Sequence, residues 1–172
     1  FTLMNELVLP NDTNTLNNLM GGRLLHWMDI CAAIAAQKHS NNIVVTAAVD
    51  SVSFKESIRL GDVVTLKAYV TRAFNSSMEV FIEVFAENLP QGEKVKSNEA
   101  YYTFVALDSR HRPIPVPTLV PETDIEKEKF LRKNDIEELK RASTVYDQGA
   151  FGAGVGGLKA VAQSTTFPDI RA

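Results

Sequence analysis

Hydrophobic and polar positions divide the chain into one all-apolar block set among alternating stretches. Thr2 to Leu9 alternates weakly and ends at Pro10, which predicts a short first strand closed by a proline. Asn11 to Asn18 is rich in side chains that bond their own backbone, so a loop of turns and caps comes next. From Leu24 to Ala36 nearly every residue is apolar or small, which predicts a helix over 23–36 with no polar face, enclosed on most sides. After the polar break His39-Ser40-Asn41-Asn42, the valine-rich run Ile43 to Phe54 reads as a long, largely buried strand. Asp62 to Phe74 follows the Leu60-Gly61-Asp62 turn and puts Val64, Leu66, Ala68 and Val70 on one face. Asn75-Ser76-Ser77 turns into Met78 to Glu87, where Met78, Val80, Ile82, Val84 and Ala86 alternate with Glu79, Phe81, Glu83, Phe85 and Glu87. Pro90 to Glu93 turns again, and Ser97 to Leu107 supplies a fifth strand.

One strand, one apolar helix and then four strands in antiparallel succession exclude a doubly wound sheet, because no later helices carry parallel crossovers. The expected class is α+β, a curved antiparallel sheet wrapped around one long central helix, over residues 1–110. Four of the seven prolines fall between Pro113 and Pro121, so residues 111–122 form an extended strap. Thr123 to Glu126 has capping-box spacing and opens a charged surface helix over 123–142 with a thin apolar stripe. Residues 143–172, with five of the nine glycines, read as a flexible tail or one ordered by a partner. The glycines from Gly149 to Gly157 lack the preceding strand and the Lys-Ser/Thr ending of a phosphate-binding loop.

Composition narrows the function classes. The 172 residues are 45% hydrophobic and 23% charged, enough for one compact domain. A net charge of -3 gives no general attraction for nucleic acid or an anionic membrane, and no 18-residue apolar run is present to span one. The single cysteine, Cys31, excludes an intrachain disulfide and fits a reducing compartment, so a cytoplasmic location is expected. The chain opens on Phe1, which leaves an organellar targeting segment open.

Candidate chemistry lies at the apolar helix. Asp29 sits in its middle, where an ionised carboxylate costs several kcal/mol unless partners or donors meet it. Either it faces a water-filled seam or pairs with Arg23 or Lys38, or it acts as a general base or nucleophile for acyl transfer. Gly21-Gly22 at the helix start lets a ligand approach first-turn amides that have no intrahelical acceptor, a site for a developing oxyanion. Asn18 either caps the helix or orients a water or reacting group. Gly21 and Asp29 are eight residues apart, about 12 Å along a helix axis, so one carbonyl cannot meet both within a chain. If both act on one carbon, the carboxylate comes from a second subunit in a twofold dimer. His26, His39 and His111 have neither metal-ligand spacing nor a place in a nucleophile motif, and neither a metal nor a cofactor is expected.

Pro10-Asn11-Asp12-Thr13-Asn14, Gly21-Gly22-Arg23-Leu24-Leu25-His26-Trp27-Met28-Asp29, Val45 to Phe54 and Ile58-Arg59-Leu60-Gly61-Asp62 resemble, in order, the hotdog-fold acyl-CoA thioesterases of the brain acyl-CoA hydrolase type. The resemblance continues through Ser77 to Val80, Ala100 to Leu107 and Pro115 to Thr123. It implies a hotdog fold and hydrolysis of acyl-CoA to free CoA and a carboxylic acid. Carried over by position, Asp29 resembles the catalytic carboxylate, Gly21 the amide donor to the thioester carbonyl, and Asn18 an asparagine three residues before the glycine pair. It also implies sites shared across a homodimer, and a trimer of dimers. Asn17 stands where a glycine is common, and Met20 where members often carry Phe or His. For the CoA phosphates, Arg59, Arg72 and Lys55 near strand ends and Ser77 at a turn are candidates, while Phe54, Trp27 and Met28 could line an acyl tunnel or simply fill the core. The competing expectation is a non-catalytic acyl-CoA-binding or sensor module on the same fold. A hotdog dehydratase is disfavoured because no histidine lies in the loop before the helix.

Overall fold

The structure is a computed structural model that describes residues 1–120. The end of the strap, the helix expected over 123–142 and the tail over 143–172 lie outside the described residues. Strand β1 (Thr2–Leu7) and a single 3-10 turn (Pro10–Asp12) lead into helix α1 (Gly21–Ser40). Strands β2 (Ile43–Phe54), β3 (Val63–Ala73), β4 (Ser77–Asn88) and β5 (Glu93–Leu107) follow. All pairings are antiparallel, in the order β1-β3-β4-β5-β2, and α1 packs on one face of the sheet. This is the hotdog arrangement, and it carries the α+β order expected from the sequence.

The centre of the sheet follows the alternation in the sequence closely. Val64, Leu66 and Ala68 of β3 and Met78, Val80, Ile82, Val84 and Ala86 of β4 are all buried against α1, with Val70 half-buried beside them. The β4–β5 hairpin runs four residues further than the pattern predicted. Asn88 pairs with Glu93, and Gly92 supplies the left-handed residue (φ 69°) that closes the turn.

Two expectations are corrected by topology. Among the described residues the helix is covered on one side and not on most. Leu24, Trp27, Met28, Cys31, Ala32, Ala35 and Ala36 are buried, while His26, Ile30 and Ile34 form an outward stripe, the two isoleucines 37% and 36% exposed. A single sheet covers only one side of a helix, and here isoleucines occupy the side where a surface helix normally carries charge. The helix is also longer than 23–36. It begins at Gly21 and ends where Asn41, in the left-handed region (φ 53°), donates its N–H to the Gln37 carbonyl at 2.7 Å.

Strand β2 is not largely buried, nor does it continue a succession into β3. Among the described residues it pairs with β5 alone, at the sheet edge, and the residues from Val44 to Asp50 are half-buried. Valine content reports a fit to a pleated surface and does not distinguish an edge from a centre.

Residues 113–117 of the expected strap run beside the sheet. Pro113, Pro115 and Pro117 alternate with Ile114 and Val116, whose N–H groups reach the Ala106 and Asn75 carbonyls at 3.0 and 2.9 Å. His39 Nε2 lies 2.9 Å from the Pro117 oxygen and fastens the strap to the end of α1. Among the described residues no helix is long and apolar enough to cross a membrane.

Candidate active site

The start of α1 is held open by the loop before it. Asn14 Oδ1 accepts hydrogen bonds from the Leu16 and Asn18 amides at 2.9 and 3.2 Å, and the Asn14 amide donates to the Asn18 carbonyl at 2.8 Å. Asn17 takes the left-handed conformation (φ 57°) that glycine or asparagine tolerates, which accounts for asparagine where glycine is common. The Leu19 amide reaches the Ile58 carbonyl at 2.8 Å and the Leu60 amide the Asn17 carbonyl at 3.0 Å, clamping the loop to the 58–60 segment. Asp12 then ties the loop to the helix, pairing with Arg23 Nε at 2.9 Å while its carbonyl accepts the Met20 amide at 2.9 Å.

Met20 is the N-cap and makes no side-chain cap, so Asn18 does not cap the helix. The first intrahelical bond is Leu24 to Met20 at 3.0 Å, and the amides of Gly21, Gly22 and Arg23 have no acceptor within the helix. They carry the positive end of the helix dipole. Asn14, Asn18 and Gly21 line one pocket of about 260 Å³, with Phe54, Lys55 and Asn98 across from them. A methyl group on Gly21 would lie 3.6 Å from the Phe54 ring, ordinary contact, so the protein's own packing does not demand glycine there.

Asp29 is absent from that pocket. It lies on the same helix, about 12 Å along the axis from Gly21 and turned from it by roughly 80°. The structure removes one bland explanation for its charge, because Arg23 is committed to Asp12. Asp29 is half-buried, and Thr46 Oγ1 on β2 donates to its Oδ1 at 2.8 Å. Burial, and then the nearby Asp29 charge, push the Tyr102 phenol well above the ordinary tyrosine range; its hydroxyl donates to the Leu25 carbonyl at 3.4 Å. Cys31, two residues after Asp29 on α1, is no rival nucleophile. Burial pushes its thiol up to about 11, so it is protonated at neutral pH.

The CoA candidates separate into two groups. Lys55 lines the pocket and pairs with Glu99 at 3.3 Å; Arg59 is exposed beside it, its backbone bridged to Asn18 and its amide held by Asp62 at 2.8 Å. Arg72 and Ser77 are buried at the far end of the β3–β4 pair, about 30 Å along the strand from the end nearest Asn18, and the single chain does not bring them to this pocket. A wider hollow of about 550 Å³ at the other end of α1, near Gln37 and Asn41, contains none of the candidate residues. Sequence reasoning missed Asn14, Thr46 and Asn98. Asn14 is one of four asparagines between positions 11 and 18, with Asn11, Asn17 and Asn18, and nothing in the run itself singles it out.

Comparison with known proteins adds a second line. The thioesterase superfamily model matches residues 16–93. A Bacillus subtilis protein named as an uncharacterised acyl-CoA thioester hydrolase is 47% identical over 119 residues, 69% of each chain. The cytosolic acyl coenzyme A thioester hydrolase of Rattus norvegicus is 36% identical over 127 residues; this is 73% of the present chain, which spans only 33% of that longer protein. A hexameric acyl-CoA thioesterase superposes with a TM-score of 0.74 at 39% identity, over 87% of this chain and 92% of that one. The acyl-CoA hydrolase of Staphylococcus aureus, solved with butyryl coenzyme A and coenzyme A, gives 0.75 at 35% identity over the same shares. That enzyme has also been solved as single alanine variants of an asparagine, an aspartate and a threonine, the asparagine 15 residues before the aspartate and the threonine 17 after it. Asn14, Asp29 and Thr46 repeat both intervals.

Proposed function

The chain belongs to the thioesterase superfamily, among the acyl-CoA thioester hydrolases, and on that premise we propose that it hydrolyses acyl-CoA to CoA and a carboxylic acid at sites shared between two subunits. The observation that carries the shared site is the separation of Gly21 and Asp29 on one helix, with Asn14, Asn18 and Gly21 lining a pocket that Asp29 does not enter. The thioester carbonyl lies at the Gly21 amide, where the donors are fixed before charge develops on oxygen. Asn14 has its side-chain oxygen engaged by two loop amides, so its NH₂ group is the end presented to substrate or water. Asn18 lines the same wall and orients the group beside it.

Asp29 of the partner subunit supplies the base, held by that subunit's own Thr46 hydroxyl. It takes a proton from water as the hydroxide adds to the carbonyl carbon. The carbon–sulfur bond then breaks and the departing thiolate recovers the proton. Direct attack by the carboxylate, through an anhydride that water opens, balances equally and is separated by a single turnover in oxygen-18 water, where label in Asp29 reports the anhydride. Lys55 in the pocket wall and Arg59 next to its residue Ile58 are the nearer candidates for the CoA phosphates, with Arg72 and Ser77 reaching a CoA only from another subunit. The hexameric relative supports a trimer of dimers here.

Mixed chains test the shared site. Asn14→Ala and Asp29→Asn proteins are each expected to release almost no CoA. Unfolded together and refolded, they should regain about a quarter of wild-type activity, because half the random dimers carry one intact site of two. Two inactive proteins that stay inactive after mixing would place the whole site within one chain. Asp29→Asn with undiminished CoA release would favour the binding-module reading instead.

A further inference from the structure

Asn98 on β5 is 1% exposed and stands in the wall of the pocket at the start of α1. Its Nδ2 donates to the Ser53 carbonyl at 2.7 Å. That bond fixes the amide, since the opposite orientation would set two oxygens face to face. The other end, Oδ1, is buried and accepts no hydrogen bond among the described residues. Leaving a buried amide oxygen without a donor costs about 1–3 kcal/mol, and native proteins keep few such groups. A structural asparagine that needed only the Ser53 bond has no use for this acceptor.

The surroundings say what kind of donor completes it. Asn98 faces Phe54 across the β2–β5 pair, so both side chains leave the sheet on the same side. Phe54 is 56% exposed, and its ring lies 3.6 Å from where a methyl group on Gly21 would sit. One small pocket therefore joins an unfilled set of amide donors at the helix start to an unfilled acceptor at Asn98, with a displaceable ring between them.

We propose that Asn98 is a substrate-binding residue whose Oδ1 accepts the first amide N–H of the pantetheine arm, with Phe54 turning aside as the arm enters. The assignment rests on the thioesterase reading above. In acyl-CoA that N–H is separated from the sulfur by two methylenes. A thioester carbonyl held at the Gly21 amide thus carries both complements into the same pocket, an acceptor for the helix and a donor for Asn98. Recognition of the arm at this point selects thioesters bearing an amide there over simple alkyl thioesters.

The test compares an S-acyl-N-acetylcysteamine, which keeps the amide N–H, with the analogue in which an ester oxygen replaces that N–H. The wild-type protein is expected to show a kcat/KM about tenfold higher for the amide. Asn98→Ala and Asn98→Ser should bring the two substrates within about twofold, through a higher KM for the amide at unchanged kcat. Asn98→Ser keeps a hydroxyl for the Ser53 carbonyl and so guards against simple unfolding, which thermal melts monitor. A merely structural Asn98 would lower both substrates alike and leave the preference in place. That outcome, or a wild-type protein with no preference, overturns the proposal and leaves the thioesterase reading standing. A wild-type protein that releases thiol from neither analogue nor from acyl-CoA overturns both.

Discussion

Asp29 and Thr46 form the smallest unit whose removal should be read in chemistry and not in stability. A positioned general base contributes roughly 10² to 10⁴ in rate, so Asp29→Asn is expected to lower kcat by about that factor with the melting temperature little changed. Thr46→Val removes the donor 2.8 Å from the carboxylate while keeping the side chain's shape. A hydrogen bond to a charged group contributes about 1.5–3 kcal/mol, so kcat should fall about ten- to a hundredfold with KM nearly unchanged. Steady-state CoA release by the two variants checks this; an equal rise in KM would show that Thr46 serves binding. Asp29 was legible in the sequence because a carboxylate in an apolar helix has few innocent explanations. Asn14 and Asn98 were not. Asn14 differs from Asn18 by which backbone amides it gathers, and Asn98 by the absence of a donor, and both facts belong to the folded chain.

The strands show where local pattern suffices. In β4 the period of two places Met78, Val80, Ile82, Val84 and Ala86 on the core face, held there by both neighbouring strands and α1, although Glu79 and Phe81 of the opposite face are buried as well. Ile82, fully buried at its middle, tests this. Ile82→Ala is expected to destabilise the protein by about 2–5 kcal/mol in denaturant titration while the folded fraction keeps its kcat, the reverse of the Thr46 result. In β2 the same kind of reading overestimated burial, since its run of valines does not reveal that one edge has no neighbour among the described residues. The helix limits were off for a related reason. Gly21, Gly22, His39 and Ser40 are weak helix positions by composition, Gln37 and Lys38 fall outside the apolar run, and the loop bonds at Asp12 and the Asn41 cap set the ends.

At the scale of the whole molecule, the open stripe of α1 and the free edge of β2 lie on elements that also carry Asp29 and Thr46. A subunit interface built there would cover the isoleucines and complete the site together. Ile30→Glu with Ile34→Glu is therefore expected to shift the protein toward monomer in sedimentation and to reduce CoA release by at least about tenfold, with circular dichroism retained. Full activity in a monomeric double variant would contradict the shared site. The strand order has a consequence in time as well. During synthesis Asn14, Gly21, Asp29 and Thr46 are all made early, yet β1 waits for β3 and β2 waits for β5, the last strand of the sheet. Such distant pairings close slowly, whereas β3, β4 and β5 join through short turns. The nascent chain thus carries every proposed catalytic group well before any of them has a surface to stand on, and activity arrives only when β5 folds back.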